Sequence, residues 1–130
     1  MLIIAEIGQN HNGDLEIAKK LIRVAREKGA DIVKFQLYDV GKIFTSDFQW
    51  YKEAKEAQLT KEQVLELAGY CENVGIEFST SVFDLERLQW TEELGMKRYK
   101  IASRSIYEEE LIDAIASTGK DILVSLGMYK

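Results

Sequence analysis

Residues 74–81, VGIEFSTS, set a glycine, a short apolar run and a cluster of hydroxyl side chains in that order, and the arrangement recurs three more times. The other copies are KGADIVKFQ at 28–36, LGMKRYKIAS at 94–103 and TGKDILVSLG at 118–127. Each glycine suits the position just past a helix C-terminus, where a left-handed backbone costs it little. Each apolar run that follows reads as a strand ending in polar side chains.

The stretches between these copies carry helical periodicity. Asp14 caps a first helix, with Ala18, Leu21, Ile22 and Ala25 on one buried face before Gly29. Thr60 and Gln63 have capping-box spacing ahead of Val64, Leu67, Ala68 and Cys71. Asp84 caps a third helix reaching about Leu94, with Leu85 and Leu88 inward. A fourth runs from about Glu108 to Ser117 on an apolar face of Leu111, Ile112 and Ile115.

With an initial strand over Leu2 to Ala5, the order is βαβαβαβαβ, which requires right-handed crossovers and a parallel sheet. The strands read as short apolar runs rather than clean alternations, as expected where helices cover one face and a packed interior fills the other. The expected fold is therefore α/β, a partial TIM (β/α) barrel of about five parallel strands with intervening helices, occupying residues 1–130 as one unit. Residues 37–58, LYDVGKIFTSDFQWYKEAKEAQ, are too polar and aromatic for a plain crossover helix. They read as an extended loop with a short helix near Gln49 to Glu56, either contacting substrate or packing as an aromatic flap on the rim.

Composition narrows the function classes. At 130 residues, 46% hydrophobic and 30% charged, the chain is a globular domain able to bury a core. A formal net charge of -5 argues against nucleic acid or an anionic membrane as partner, while leaving room for a local basic pocket. The single cysteine, Cys71, excludes an intrachain disulfide and points to a cytoplasmic protein. No apolar stretch is long enough to span a bilayer, and MLIIAEIGQNHNGD has no basic region before its apolar run.

In a (β/α) barrel the chemistry sits where strands end and loops begin. The first strand end delivers Glu6 and then GQNHNGD; the second, Lys34 and Gln36; the third, Ser79, Thr80 and Ser81; the fourth, Lys100 and Ser103; the fifth, Ser125. Two lysines inside adjacent apolar strands are costly unless an anion compensates them, because desolvation disfavours the ammonium and the two cations repel. A phosphate or carboxylate answers that cost, and serine hydroxyls from three strand ends add donors. The alternative is that Lys34 and Lys100 reach the rim and pair with Glu6 or nearby acids. Glu6 is either such a salt-bridge partner or a general acid or base facing a dry pocket. His11, the only histidine, reads as a loop-ordering or pocket-wall residue, since one histidine cannot support a metal site by itself.

IAEIGQNHNGD at 4–14, IVKFQ at 32–36, FSTSVFDLE at 78–86, YKIAS at 99–103 and ILVSLGM at 122–128 occur in the order seen in the sialic acid synthase family. The chain resembles the N-terminal part of the barrel domain of these enzymes, which include N-acetylneuraminate, legionaminate and pseudaminate synthases. The resemblance implies condensation of phosphoenolpyruvate with an N-acylated amino-sugar aldehyde to give a nonulosonic acid and phosphate. It also implies a divalent metal, manganese or magnesium, whose ligands are not in this chain.

Carried across on matching positions, Glu6 is the catalytic carboxylate, and Lys34 and Lys100 hold phosphoenolpyruvate. Ser81, Ser103 and Ser125 surround its phosphate and carboxylate, with Gln36 beside them. Where the family often has ASGE this chain has Ala102, Ser103, Arg104 and Ser105, a change bearing on sugar recognition.

Relatives continue through three more strands carrying metal-binding histidines, and usually add an antifreeze-like domain. Five strands cannot close an eight-stranded barrel, so a homo-oligomer or a complementing C-terminal half is expected. Two other readings stand beside this one. One is a noncatalytic phosphoenolpyruvate-binding or assembly module from the same barrel. The other is a different barrel enzyme such as an aldolase, which would need a Schiff-base lysine.

Overall fold

The computed structural model describes residues 1–127 and 129–130; Met128, the last residue of the ILVSLGM string, lies outside them. Five strands form one sheet in the order β1 (Ile4–Gly8), β2 (Ile32–Leu37), β3 (Glu77–Val82), β4 (Arg98–Ile101) and β5 (Asp121–Val124). Every neighbouring pair is parallel. Between them run α1 (Leu15–Glu27), α2 (Val40–Ile43), α3 (Tyr51–Glu56), α4 (Lys61–Val74), α5 (Leu85–Glu93) and α6 (Glu109–Ala116). The sheet is α/β, with β1 and β5 as its edges.

The capping residues act as their sequence positions require. Asp14 accepts from the Glu16 and Ile17 amides at 2.8 and 3.1 Å, and Asp84 accepts from the Arg87 amide at 2.9 Å. Thr60 and Gln63 close a reciprocal capping box, at 2.9 and 3.3 Å. Each such cap stabilises its helix by about 1 kcal/mol. The glycines that open the four repeat units, Gly29, Gly75, Gly95 and Gly119, all have positive φ.

One face of the sheet is packed and the other is not. Val33, Phe35, Leu37, Val82, Tyr99 and Ile101 join Ala18, Ile22, Val64, Leu67, Cys71, Leu88, Leu111 and Ile115 in a core between sheet and helices. Alternate strand residues turn the other way, and on that face stand Glu6, Lys34, Gln36, Glu77, Ser79, Ser81, Arg98 and Lys100. The expectation of apolar runs without alternation is thereby corrected. The strands do alternate, apolar toward the helices and largely polar toward the would-be barrel interior.

Other boundaries shift. The first strand runs from Ile4 to Gly8 rather than from Leu2 to Ala5; Leu2 and Ile3 are 60% and 48% exposed, although the Ile3 backbone still bonds Asp31 and Ile32. Leu88 is buried as expected, but Leu85 is 44% exposed because the first residue of α5 lies beyond the core. Residues 37–58 carry two short helices instead of one. They form their own small cluster of Tyr38, Val40, Ala54 and Phe83, with Phe44 packed against it. The Tyr38 hydroxyl donates to the Ala54 carbonyl at 2.6 Å, and burial pushes its pKa up to about 12.

The loop after β1 is pinned from two sides. Inside it the His11 Nδ1 accepts from the Gly13 amide at 3.0 Å, and the buried ring packs on Phe35 with centroids 5.8 Å apart. On its outer side Gly13, at φ +80°, passes so close to α3 that an added Cβ would stand 2.1 Å from the Glu56 carbonyl oxygen. Gly13→Ala should therefore lower unfolding stability by ~3 kcal/mol, combining left-handed strain with overpacking against fixed backbone. Gly29, at φ +89° with nothing within 4 Å, isolates the strain alone, and Gly29→Ala should cost ~1 kcal/mol. Urea denaturation of both variants checks the difference.

Candidate active site

The site is assembled from the C-terminal halves of β1 to β4. The register sets its residues on two successive rungs of one sheet face, Glu6–Lys34–Ser79 and, nearer the C-terminal ends, Gln36–Ser81–Lys100; the Lys34 side chain spans the two by reaching Ser81. The two lysines are not on adjacent strands as expected. β3 runs between them and interposes its serines.

Lys34 lies deep, its side chain 10% exposed, and its ammonium forms an ion pair with Glu6 and donates to the Ser81 hydroxyl at 3.4 Å. Glu6 is the outer partner, with its side chain 51% exposed. Room for that carboxylate comes from a bulge after it. The pairing with β2 slips between Glu6 and Gly8, and Gly8 sits at φ +56°. A Cβ there would meet Glu6 Oε1 at 3.4 Å and Gln36 Nε2 at 3.6 Å, so Gly8, Glu6 and Gln36 share one recess.

Lys100 differs. Its ammonium donates to the Ser125 hydroxyl and to the Ile101 carbonyl, the latter at 2.9 Å, and among the described residues no carboxylate pairs with it. Burial first, and the nearby Lys34 charge second, pull its pKa below the ordinary value, with Glu6 opposing. A half-buried cation held only by neutral oxygens, beside a second cation, lowers its free energy when an anion arrives.

Ser103 opens a 3₁₀ turn (Ser103–Ser105) past β4, and its hydroxyl oxygen would be 3.2 Å from a Cβ at Gly127. That ties the β4 and β5 loops together, but among the described contacts Ser103 reaches neither lysine. Thr80, one of three hydroxyls on β3, faces the helices and donates to the Ser81 carbonyl at 2.9 Å. It leaves the site by the strand's own alternation.

One relevant group was invisible as a site residue in the sequence. Arg98 reaches Glu77 through two hydrogen bonds, at 2.7 and 3.3 Å, on the same sheet face. A period-2 reading of β3 and β4 together would have found the pair. At the loop rim, the Arg104 guanidinium lies over Phe44 and Phe83, at 5.5 and 5.9 Å, and donates to the Ile43 carbonyl at 3.3 Å. It joins the β4 loop to the 37–58 segment.

His11 is on the helix side against Phe35, away from this band. With Nδ1 accepting a hydrogen bond its hydrogen belongs on Nε2, which is buried and makes no hydrogen bond among the described residues. Burial lowers its pKa, partly offset by the Gly8 backbone. Among the described residues no three His, Cys, Asp or Glu side chains converge as a metal site requires, so this chain's residues do not fit the cation the resemblance implies. A cleft of about 610 Å³ opens between α4 and the N-terminal ends of β3 and β4, the opposite end from the lysines.

The depressed Lys100 has a consequence for stability. Between its lowered value and the ordinary 10.5, the unfolded chain binds the proton that the folded chain has lost, so stability rises with pH through that window. Lys100→Met should abolish the rise and increase the melting temperature at neutral pH. Ser125 and Ile101 keep their own backbone hydrogen bond at 3.1 Å, so the variant leaves no orphaned carbonyl. Thermal melts across the alkaline range check this, and a lower melting temperature for Lys100→Met would contradict it.

The NeuB family model matches residues 21–130. The chain is 39% identical over 141 residues to the N,N'-diacetyllegionaminic acid synthase of Campylobacter jejuni, covering 98% of this chain and 42% of that one. It is 34% identical over 139 residues to the N-acetylneuraminate-9-phosphate synthase of Homo sapiens, covering 97% of this chain and 39% of the relative. Its structure superposes on an N-acetylneuraminic acid (sialic acid) synthetase from Leptospira borgpetersenii, solved with citrate, at a TM-score of 0.95 and 32% identity. That match covers 99% of this chain and 45% of the other. The chain thus spans about two fifths of the length of the curated relatives it matches. No helix among the described residues is long and apolar enough to cross a membrane. The family match covers most of the chain and the whole sheet-and-helix order is that of a solved synthase, so the chain belongs to the NeuB family.

Proposed function

We propose that this chain carries the phosphoenolpyruvate-binding half of a nonulosonic acid synthase. The observation that carries the reading is the charge pattern across β2, β3 and β4: two ammonium groups on one sheet face, Lys100 without a carboxylate partner among the described residues, and serine hydroxyls at both. In this reading Lys34, Ser81, Lys100 and Ser125 receive the phosphate and carboxylate of phosphoenolpyruvate. Gln36 lines the recess beside them, and Ser103 borders it through the Gly127 loop.

The reaction forms a bond from the enol carbon of phosphoenolpyruvate to the aldehyde carbon of an N-acylated amino sugar, whose oxygen takes a proton. Water adds to the resulting oxocarbenium-like carbon and loses a proton. The C–O bond to phosphate then breaks and leaves the keto acid. Glu6, half-exposed at the edge of the recess, is the group on this chain suited to move those protons. The lysines stabilise negative charge on the departing phosphate.

The family's divalent metal and most of the sugar site would be supplied by residues beyond this set. The complement, either a C-terminal half or a second copy, would pair along β5, where Leu123, Val124 and Leu126 are 43%, 47% and 63% exposed. A cytoplasmic setting accords with this substrate class.

Titration calorimetry tests the half-site. Lys34→Ala and Lys100→Ala should each weaken phosphoenolpyruvate binding at least about tenfold, the scale of one lost charge-assisted hydrogen bond. Unchanged affinity in both variants would remove the assignment. Turnover is tested by phosphate release from phosphoenolpyruvate and N-acetylmannosamine with manganese, for this chain and for one extended through the remaining barrel strands. Release is expected only from the extended chain, and release from this chain alone would overturn the need for a complement.

A further inference from the structure

Glu6 and Lys34 form an ion pair within the lysine-bearing face, so an anion that bound there would compete with Glu6 for the Lys34 ammonium. The two partners are not equivalent. The Lys34 side chain is 10% exposed, anchored mid-strand and donating to Ser81, whereas the Glu6 side chain is 51% exposed. Glu6 also sits at a bulge, beside a glycine whose missing side chain leaves space next to Oε1 and the Gln36 amide. The partner able to leave is therefore the carboxylate. Both partners of the exchange have the same chemistry, since a phosphate or carboxylate oxygen makes the same charge-assisted hydrogen bond to an ammonium that Glu6 makes. Lys100 supplies the asymmetry that drives it: among the described residues no carboxylate pairs with its ammonium, so an anion spanning both lysines gains at Lys100 what Glu6 does not supply.

We propose that Glu6 is the internal counter-ion of the anion site. It holds Lys34 until an incoming phosphate or carboxylate takes its place. Anion binding then releases Glu6 toward Gly8 and Gln36, unpaired and free to exchange protons with a second substrate. The site would load its anion before the carboxylate is available for chemistry. This rests on the reading of the lysine band as an anion site, and it adds the coupling between that site and Glu6.

The coupling separates from a simple field effect through two substitutions. Glu6→Gln removes the charge; Glu6→Asp keeps it but withdraws it by one methylene, out of contact with Lys34. Inorganic phosphate and phosphoenolpyruvate binding would be measured by calorimetry for the full 130-residue chain and both variants, with circular dichroism melts confirming that each variant is folded. Exchange predicts that both variants bind about tenfold tighter, the scale of one charge-assisted hydrogen bond no longer displaced. Tighter binding by Glu6→Gln alone, with Glu6→Asp like the parent, overturns exchange and leaves only a field. Unchanged or weaker binding by both overturns it as well. No binding by the parent or either variant overturns the anion-site reading itself, and this inference with it.

Discussion

A parallel strand has two faces, and in this chain helices cover only one of them. The crossovers of a βαβ unit all pack on the same side when the handedness is constant, so the apolar alternate of every strand is drawn into one continuous layer. The other alternate is left to whatever the strands carry. Here that is largely charge and hydroxyl rather than aliphatic bulk, and the polar band exists because the core on the opposite side already accounts for the sheet's stability.

The charges on that band are compensated unevenly. Lower on the face, Arg98 and Glu77 neutralise each other through two hydrogen bonds. Lys34, in register with Ser79, has Glu6. Among the described residues Lys100 meets a serine hydroxyl and a backbone carbonyl and no carboxylate, and burial and a neighbouring cation pull its pKa down. Moving from the N-terminal toward the C-terminal ends of the strands, compensation falls away just where a (β/α) barrel opens its active site. The gradient marks an end of the sheet that the cleft between α4 and the N-terminal ends of β3 and β4 does not.

Much of this was legible in the chain. The four glycine-led repeats mark four of the five strands, and three of the caps were readable as single residues at Asp14, Thr60 and Asp84. These features depend on neighbours within a few positions, which is why they survive in one dimension. The misses involve distance. Leu85 looked inward by spacing but extends beyond the core, and residues 37–58 form two helices because Tyr38, Ala54 and Phe83 meet across the chain. Thr80 looked like a third hydroxyl of the site, and strand alternation sends it to the helices.

Local sequence by itself determined the order of strands and helices, where most of the helices start, and that Glu6, Lys34, Gln36, Ser81, Lys100 and Ser125 fall near strand ends. It could do so because capping, glycine conformation and hydrophobic period are short-range effects. Only the tertiary structure decided that, among the described residues, Lys34 has a carboxylate partner and Lys100 has none, that β3 separates them, and that Ser103 lies beside Gly127 rather than bonding either lysine. Those facts depend on the register of strands far apart in the chain, and register is set by the packing of the whole sheet against its helices.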